Sequence, residues 1–329
     1  MDFTRLMALA SGHVEARIVQ TAVELNVFDA LEESALSASE VAGRLKLEAK
    51  ATELLLNALA ALSLMDKQGE LFSLRETART YLLTSSPRYL GGMIHFESSL
   101  WNCWEKLPRA IRSGQPVRLP NMYQDDATET EVFINAMDSL VKARGDAEVL
   151  ARSLDWEQTT ELLDVGSGPA TYPIALCKRF PKLHATIFDL PATLKITESY
   201  LDKEGMRERM TLLAGDYRYD RIPGNYDVVF LSNIIHGESA ENNSTLVRKL
   251  AGQLKPHGRL IVKDHILDEW RAHPAVGALF SLLMLLTTEG GRCYSFAEIE
   301  SWMKGAGLAQ VRQLDLPLPL TSSLVIGMR

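Results

Sequence analysis

The residues of this sequence best suited to chemistry begin with a glycine-rich turn in its second half. The apolar stretch Leu162–Val165 runs into Gly166-Ser-Gly-Pro-Ala170, and a helix is expected to follow. Gly166 and Gly168 let the backbone turn tightly and approach a ligand closely. Such a turn suits NAD, FAD or S-adenosylmethionine, and it also occurs as a tight turn without a ligand. The turn alone therefore leaves the ligand open.

Two later groups of residues narrow the ligand to one with an adenosyl group. Asp189 ends the next apolar stretch, where its carboxylate can accept hydrogen bonds from both hydroxyls of a ribose. The alternative for Asp189 is a helix N-cap ahead of Pro191. Asp216 and Tyr217 end a third stretch, where the acid can accept from an adenine amino group and the ring can pack on adenine. Turn, acid and acid–aromatic pair, in this order, predict an adenosyl ligand.

A histidine follows the fourth apolar stretch. His236 lies in the turn after Tyr226–Ser232, beside the edge where the predicted sheet binds ligands. Imidazole titrates near neutral pH and suits proton transfer. A lone histidine is more often structural, so the residues alone leave both interpretations open.

The elements that must position these residues are strands alternating with helices, which begin at Thr160. This alternation predicts an α/β fold, a doubly wound, Rossmann-like sheet. The last two of its seven strands have no helix between them. The strands are expected at 162–165, 185–188, 211–214, 227–231, 260–262, 311–316 and 324–327.

The N-terminal part predicts a winged helix. Ser37 and Glu40 fit a capping box for a short helix, and apolar residues at helical spacing predict a second helix over 48–64. Asp66–Gly69 lies between two apolar pairs and predicts a hairpin turn. A DNA-binding regulator is the competing interpretation, but acids outnumber bases over residues 1–64. We therefore favour a helical interface between two subunits.

An apolar stripe along one side of the first helix predicts a homodimer, because it is larger than a small winged helix can bury. The alternative is packing within the same subunit. The stripe consists of Leu6, Leu9, Val14, Ile18, Ala22 and Leu25.

Composition excludes other classes of protein. A net charge of −7 over 329 residues argues against a nucleic-acid groove. The longest apolar run, Ala275–Leu286, is too short to span a bilayer, and the N-terminus lacks a signal-peptide pattern. Three scattered cysteines indicate a reducing compartment. We expect a cytoplasmic protein without nucleic-acid or membrane partners.

Taken in order, these motifs resemble class I S-adenosylmethionine-dependent methyltransferases. More narrowly, the chain resembles the dimeric small-molecule O-methyltransferases, which include plant caffeic acid, acetylserotonin and bacterial antibiotic-tailoring enzymes. Leu25–Leu31, Trp104–Leu107 and Phe133–Met137 resemble the dimerisation and substrate-lid segments of that family. Leu163–Leu267 resembles its catalytic core.

The resemblance implies three regions and a reaction. The regions are a winged-helix-like dimerisation domain at 1–90, a helical linker and lid at 91–155, and a methyltransferase domain at 156–329. The reaction moves a methyl group from S-adenosylmethionine, without a metal, to a hydroxyl of a small aromatic or heteroaromatic acceptor. In the family His236 would be the general base, because a phenol is a poor nucleophile until it is deprotonated, and Asp264 would orient it. The alternative for Asp264 is a solvated acid at the end of a strand.

Alternatives remain beside this reaction. They are C- or N-methylation on the same fold, a non-catalytic regulatory dimer, and a nicotinamide-dependent oxidoreductase that would leave Asp216 and Tyr217 unexplained.

Two sets of side chains complete the prediction. In the donor set, the Arg144 guanidinium suits the donor's carboxylate, although a solvated helix charge is the alternative. Aromatic faces and thioethers in the acceptor set suit a flat apolar ring, and the alternative is that most of these residues belong to the core. The donor set is Arg144, Asp164, Gly166, Gly168, Asp189, Leu190, Asp216, Tyr217 and Ser232. The acceptor set is Phe96, Trp101, Trp104, Phe133, Met137, Phe280, Leu283 and Met284.

Three positions depart from the family pattern. Ala170 stands where many members have glycine. Gly237 stands where plant members have aspartate, and Cys293 where some carry a second supporting glutamate. The predicted base therefore has less support here than in those members.

Overall fold

The computed structural model describes residues 1–121 and 123–329 and divides into two compact units. The first unit comprises residues 1–100 and 135–143, and the second comprises 101–134 and 144–329. The domain boundaries proposed at 90 and 155 remain predictions. The helices are α1 Phe3–Glu24, α2 Ala38–Leu45, α3 Ala49–Ala61, α4 Glu76–Tyr81, α5 Gly91–Ser99, α6 Trp101–Trp104, α7 Leu107–Ser113, α8 Ala127–Arg144, α9 Asp146–Ser153, α10 Thr171–Arg179, α11 Pro191–Glu204, α12 Ala240–Ala251, α13 Ala275–Thr287 and α14 Phe296–Gly305. The strands are β1 Leu36–Ser37, β2 Met65–Gln68, β3 Leu71–Leu74, β4 Glu161–Val165, β5 His184–Asp189, β6 Met210–Ala214, β7 Tyr226–Ser232, β8 Leu254–Asp264, β9 Ile266–Leu267, β10 Tyr294–Ser295, β11 Ala309–Asp315 and β12 Ser323–Met328.

The first unit has the helix–helix–hairpin order predicted for it. The Ser37–Glu40 capping box is present at the start of α2. The predicted hairpin turn was misplaced, because Asp66–Gln68 belongs to β2 and the turn itself is Gly69 and Glu70. Gly69 has a φ of +59°, which is the conformation that a two-residue turn favours at its first position.

The N-terminal half of α1 keeps its apolar side chains in the open. Leu6 and Leu9 are each 55% exposed and Val14 is 48% exposed, whereas Ala22 near the end of the helix is fully buried. Of the predicted stripe, Ile18 and Ala22 pack within the chain, whereas Leu25 is 37% exposed.

The second unit is built on the predicted seven-stranded sheet. Its strand order is β11-β12-β8-β7-β4-β5-β6. The five strands from β8 to β6 are parallel; β12 pairs antiparallel with β8, and β11 pairs antiparallel with β12. All seven strands expected from the sequence are present, and the α/β fold class is confirmed.

The direction of chain progression across this sheet reverses beside β4. The chain proceeds from β4 to β5 and β6 on one side and continues with β7 and β8 on the other. Ligands of doubly wound folds bind at the carboxyl ends of the strands beside this reversal. Strands β4 and β7, which lie at this reversal, are nearly completely buried.

Candidate active site

The glycine-rich turn connects β4 to α10. Gly166 has a φ of +68°, and its N–H donates to the carbonyl of Phe188 at 2.9 Å. A Cβ at this position would lie 2.3 Å from Ile234 Cδ1, so a side chain here would require Ile234 to move, and the positive φ favours glycine in any case. Ala170 also takes a left-handed conformation, with a φ of +58°. The departure from glycine at Ala170 therefore costs about 1–2 kcal/mol of backbone strain.

Asp189, at the end of β5, is tied to this turn. Its Oδ2 accepts from the Gly168 N–H at 2.8 Å, and its Oδ1 accepts from the Leu190 N–H at 2.7 Å. Burial raises the pKa of the Asp189 carboxyl to about 6, although these two hydrogen bonds act in the opposite direction. The Thr193 side chain also bonds to this carboxylate, so three of its roughly four acceptor positions are used within the chain.

Asp164, at the end of β4, lacks a donor on one oxygen. Ser167 donates to Oδ2 at 2.6 Å, but within the described residues Oδ1 has no hydrogen-bond partner. Burial, assisted by the nearby charge of Asp189, raises the pKa of the Asp164 carboxyl to about 7. A buried oxygen without a donor is costly and fits a ligand that brings N–H or O–H groups.

Asp216 and Tyr217 lie after β6, as expected, but both have partners in the chain. Arg218 binds both oxygens of Asp216, with Nε at 3.0 and 3.1 Å and Nη2 at 2.7 Å. The Tyr217 hydroxyl donates to Glu238 Oε1 at 2.9 Å. An adenine contact at Asp216 would share its oxygens with Arg218, and this contact stays a prediction.

Arg144 and Ser232, the remaining members of the donor set, lie at the end of α8 and the end of β7. The Arg144 guanidinium is only 20% exposed and binds the buried carboxylate of Asp146. It is therefore not a solvated helix charge. Ser232 accepts from the side-chain amide of Asn233 at 3.3 Å.

His236 and Asp264 form a directly bonded pair at the ends of β7 and β8. His236 Nδ1 lies 2.9 and 3.0 Å from the two oxygens of Asp264, whose side chain is 1% exposed. A carboxylate can only accept, so Nδ1 carries the proton and Nε2 is left as the acceptor. Burial raises the pKa of Asp264, but His236, His265 and the His265 N–H outweigh it, and the pKa is lowered from its ordinary value.

Phe280 packs on this pair, edge to face with the His236 ring at a centroid distance of 4.8 Å. Two positions at which plant members carry an acidic residue, Gly237 and Cys293, lack one here. A Cβ at Gly237 would meet no atom within 4 Å, so the position is open. Cys293 is buried, and burial, followed by the charge of Asp264, raises the pKa of its thiol to about 12. The thiol is therefore neutral near pH 7.

The predicted acceptor residues fall in both units. Phe280, Leu283 and Met284 lie in α13, while Trp101 and Trp104 lie in α6, which contacts α13. Phe133 in α8 stacks on Tyr123, with centroids 4.6 Å apart. Phe96 and Met137 belong to the first unit. Of the eight residues, the structure brings Phe280 into contact with His236, and the acceptor roles stay predictions.

Two family models match this chain. The O-methyltransferase domain matches residues 112–309, and the O-methyltransferase dimerisation domain matches residues 7–84. The first match alone covers more than half of the chain. The chain belongs to the O-methyltransferase family.

Individual relatives resemble this O-methyltransferase over nearly its whole length. A 3-hydroxy-5-methyl-1-naphthoate 3-O-methyltransferase of Streptomyces sahachiroi is 28% identical over 332 residues, which cover 99% of this chain and 95% of the relative. An L-tyrosine C(3)-methyltransferase of Streptomyces lavendulae is 26% identical over 334 residues, which cover 96% and 90%. The solved structure of PigF with SAH (S-adenosylhomocysteine) has a TM-score of 0.90 and 26% identity, and the match covers 100% of both chains.

This O-methyltransferase is therefore an S-adenosylmethionine-dependent enzyme. Among the described residues, no cluster of three or more His, Cys, Asp or Glu side chains is arranged to bind a metal ion. Likewise, no helix in the described part of the chain is both long and apolar enough to cross a membrane.

Sequence reasoning missed one part of this O-methyltransferase. Asp146, Tyr172 and Lys263 are buried together beside Arg144. The available signal was Lys263, a lysine within the apolar strand that runs to Asp264, because a lysine is almost never fully buried unless it is paired. Its partners could not be identified from sequence spacing.

Proposed function

We propose that this enzyme transfers a methyl group from S-adenosylmethionine to the hydroxyl of a small aromatic or heteroaromatic acceptor, with His236 as the general base. The observation that carries the proposal is the hydrogen bond between His236 Nδ1 and the buried carboxylate of Asp264. This bond leaves Nε2 as a proton acceptor.

The residues divide the chemical work between them. S-adenosylmethionine supplies, when bound, an electrophilic methyl group on a positively charged sulfur. His236 Nε2 takes the proton of the acceptor hydroxyl, because a phenol attacks poorly until it is ionised. Asp264 stabilises the positive charge that His236 then carries, and holds the ring in one orientation. Positioning contributes more, on the order of 7–11 kcal/mol.

The donor would be held at the ends of β4 and β5. Asp189 would accept from the ribose hydroxyls in addition to its bonds with Gly168, Leu190 and Thr193, and the unpaired Oδ1 of Asp164 suits an N–H donor. Gly166 and Gly168 allow the backbone to approach the ligand. These features fit the adenosyl part and the amino group of the donor.

A flat and largely apolar acceptor fits the surroundings of His236. Phe280 contacts both His236 and His265, and it offers a ring face or edge to an aromatic molecule. The Streptomyces sahachiroi relative is named for a hydroxynaphthoate, a fused aromatic with a hydroxyl. An anionic nucleotide is disfavoured, because the predicted acceptor set contains no basic residue.

A screen of hydroxylated acceptors with isotope-labelled methyl donor tests this function. We expect label in hydroxylated single-ring or fused aromatics, and none in the matching methyl ethers. Carbon NMR of the product shows a methyl ether when oxygen is the acceptor atom. Label attached to ring carbon would instead support the second candidate, C-methylation, which the similarity to the L-tyrosine C(3)-methyltransferase favours.

We also propose that the enzyme is a homodimer. The dimerisation-domain match spans residues 7–84. The exposed apolar face of α1 bears Leu9, inside this match, and Leu6, directly before it. Replacing both with aspartate should convert the dimer to a monomer in sedimentation velocity. Leu318→Asp is the control, because Leu318 is 89% exposed in the second unit. A wild-type monomer at micromolar concentration would contradict the proposal.

A reducing, cytoplasmic location is the last part of the proposal. It is supported by Cys103, Cys177 and Cys293, all of which are buried and free.

A further inference from the structure

A buried charged cluster lies in the second unit, centred on the carboxylate of Asp146. Arg144 binds this carboxylate with Nε at 3.0 Å and Nη2 at 2.8 Å. The Tyr172 hydroxyl donates to Oδ2 at 3.2 Å, and Lys263 Nζ lies 3.2 Å from the same oxygen. The side chains of Asp146 and Lys263 are 0% exposed. We call these four residues the Asp146 cluster.

Stability alone does not account for Lys263. It lies in β8, where the residues on both sides of it are buried, and burial lowers the pKa of its ammonium group even though Asp146 acts in the opposite direction. Within the described residues Nζ makes no well-directed hydrogen bond, and the Tyr172 ring centroid is 5.4 Å away. An apolar residue of similar volume would avoid the cost of burying this charge.

The cluster connects two residues of the proposed donor site. Arg144 is held by Asp146, while Ser232 contributes a hydrogen bond to Tyr172, which in turn donates to Asp146. Lys263 is also the register partner of Ser232 across β7 and β8. Lys263 thus contacts the Asp146 carboxylate, which binds Arg144 directly and Ser232 through Tyr172.

The charges in contact within the cluster do not balance. Arg144 and Lys263 are positive and Asp146 alone is negative. Asp264 also acts on the Lys263 charge, but its oxygens lie against His236 and the His265 N–H. Buried charges are retained at lowest cost when they are paired, so a ligand carboxylate would complete the cluster.

We propose that Lys263 is a positioning residue for the amino-acid part of the methyl donor. Together with Asp146 it fixes the Arg144 fork and, through Tyr172, the Ser232 hydroxyl. Its charge leaves the cluster ready to receive the donor's carboxylate. This inference rests on the proposed function only for the identity of the donor.

The test compares two ligands that share a nucleoside. S-adenosylhomocysteine carries the amino-acid part, and 5′-methylthioadenosine lacks it. Calorimetry would measure the Kd of both for wild type, Lys263→Met and Lys255→Met. The second variant is the control, because Lys255 pairs with Asp227 at a partly exposed site.

Lys263→Met should weaken S-adenosylhomocysteine about tenfold or more, the scale of a lost charged interaction, and change methylthioadenosine less than about twofold. Lys255→Met should change neither. An unchanged affinity for S-adenosylhomocysteine overturns the inference, and so does an equal loss for both ligands, which would reflect a general disturbance of the fold.

A gentler variant covers the case in which Lys263→Met does not fold. Tyr172→Phe removes only the hydroxyl that links Ser232 to Asp146, and it should weaken S-adenosylhomocysteine about threefold without affecting methylthioadenosine. No change in Tyr172→Phe overturns the inference. Wild-type protein that binds neither ligand would contradict the methyl donor, and hence the proposed function as well.

Discussion

The donor end of the site and the catalytic pair both contain buried carboxylates, but the chain treats them differently. Asp264 contacts His236, and its pKa is lowered because His236 and His265 outweigh the effect of burial. Asp164 and Asp189 have too few donors to outweigh burial, so their pKa values are raised to about 7 and about 6. The carboxylate of the catalytic pair is paired within the protein, whereas Asp164 at the donor end has an oxygen that a ligand could bond.

This difference predicts that substitutions in the two regions affect different steps. Changes in the catalytic pair should affect turnover and leave donor binding intact. Changes at the donor end should affect binding first, and they should depend on pH.

His236→Ala should produce the largest effect. We expect a loss of about 10²–10⁴-fold in kcat, because proton removal from the acceptor loses its base. The affinity for S-adenosylhomocysteine, measured by calorimetry, should stay within about twofold of wild type. His257→Ala is the control, since His257 is exposed at the start of β8. A parallel loss of donor affinity would break the separation between the two regions.

Asp189→Ala should weaken binding of S-adenosylmethionine at least about tenfold, because charged hydrogen bonds of roughly 1.5–3 kcal/mol are lost. Its kcat at saturating donor should fall much less than that of His236→Ala. Asp202→Ala, at an exposed position of α11, is the matched control. Calorimetry that finds wild-type affinity would remove Asp189 from the donor site.

The smallest effect is the pH dependence of donor binding. Hydroxyl and amino donors favour ionised carboxylates, so binding should release protons from Asp164 and Asp189. Affinity for S-adenosylhomocysteine should therefore increase as the pH rises through about 6 and 7, and should be weaker at pH 5 than at pH 8. A Kd that is constant between pH 5 and pH 8 would show that the ligand does not meet these acids. Asp189→Asn should flatten part of the curve.

The sheet and the order of its acids could be predicted because their signals are local. An apolar stretch, a glycine turn and an acid at a strand end can each be read within a few residues, and all seven strands were found in this way. The contact between His236 and Asp264 followed only from the family resemblance. Parallel neighbours end at the same edge of a sheet, and the structure places β7 beside β8.

Other features depend on contacts that sequence spacing does not encode. The hold of Arg218 on Asp216 and the burial of Lys263 beside Asp146 both require the folded chain. The hairpin turn was misplaced because Asp66–Gln68 is polar, although the strand that these residues form is largely exposed and tolerates polar residues.

The dependence of methyl transfer on acceptor acidity tests the central claim most directly, that His236 removes the proton of an aromatic hydroxyl. Fluorinated phenols of nearly equal shape but different acidity would be compared in wild type and His236→Ala at one pH. We predict a large loss in the variant for a weakly acidic phenol, and a small loss for one that is already ionised in solution. An equal loss for both acceptors would contradict the assignment of His236 as the base.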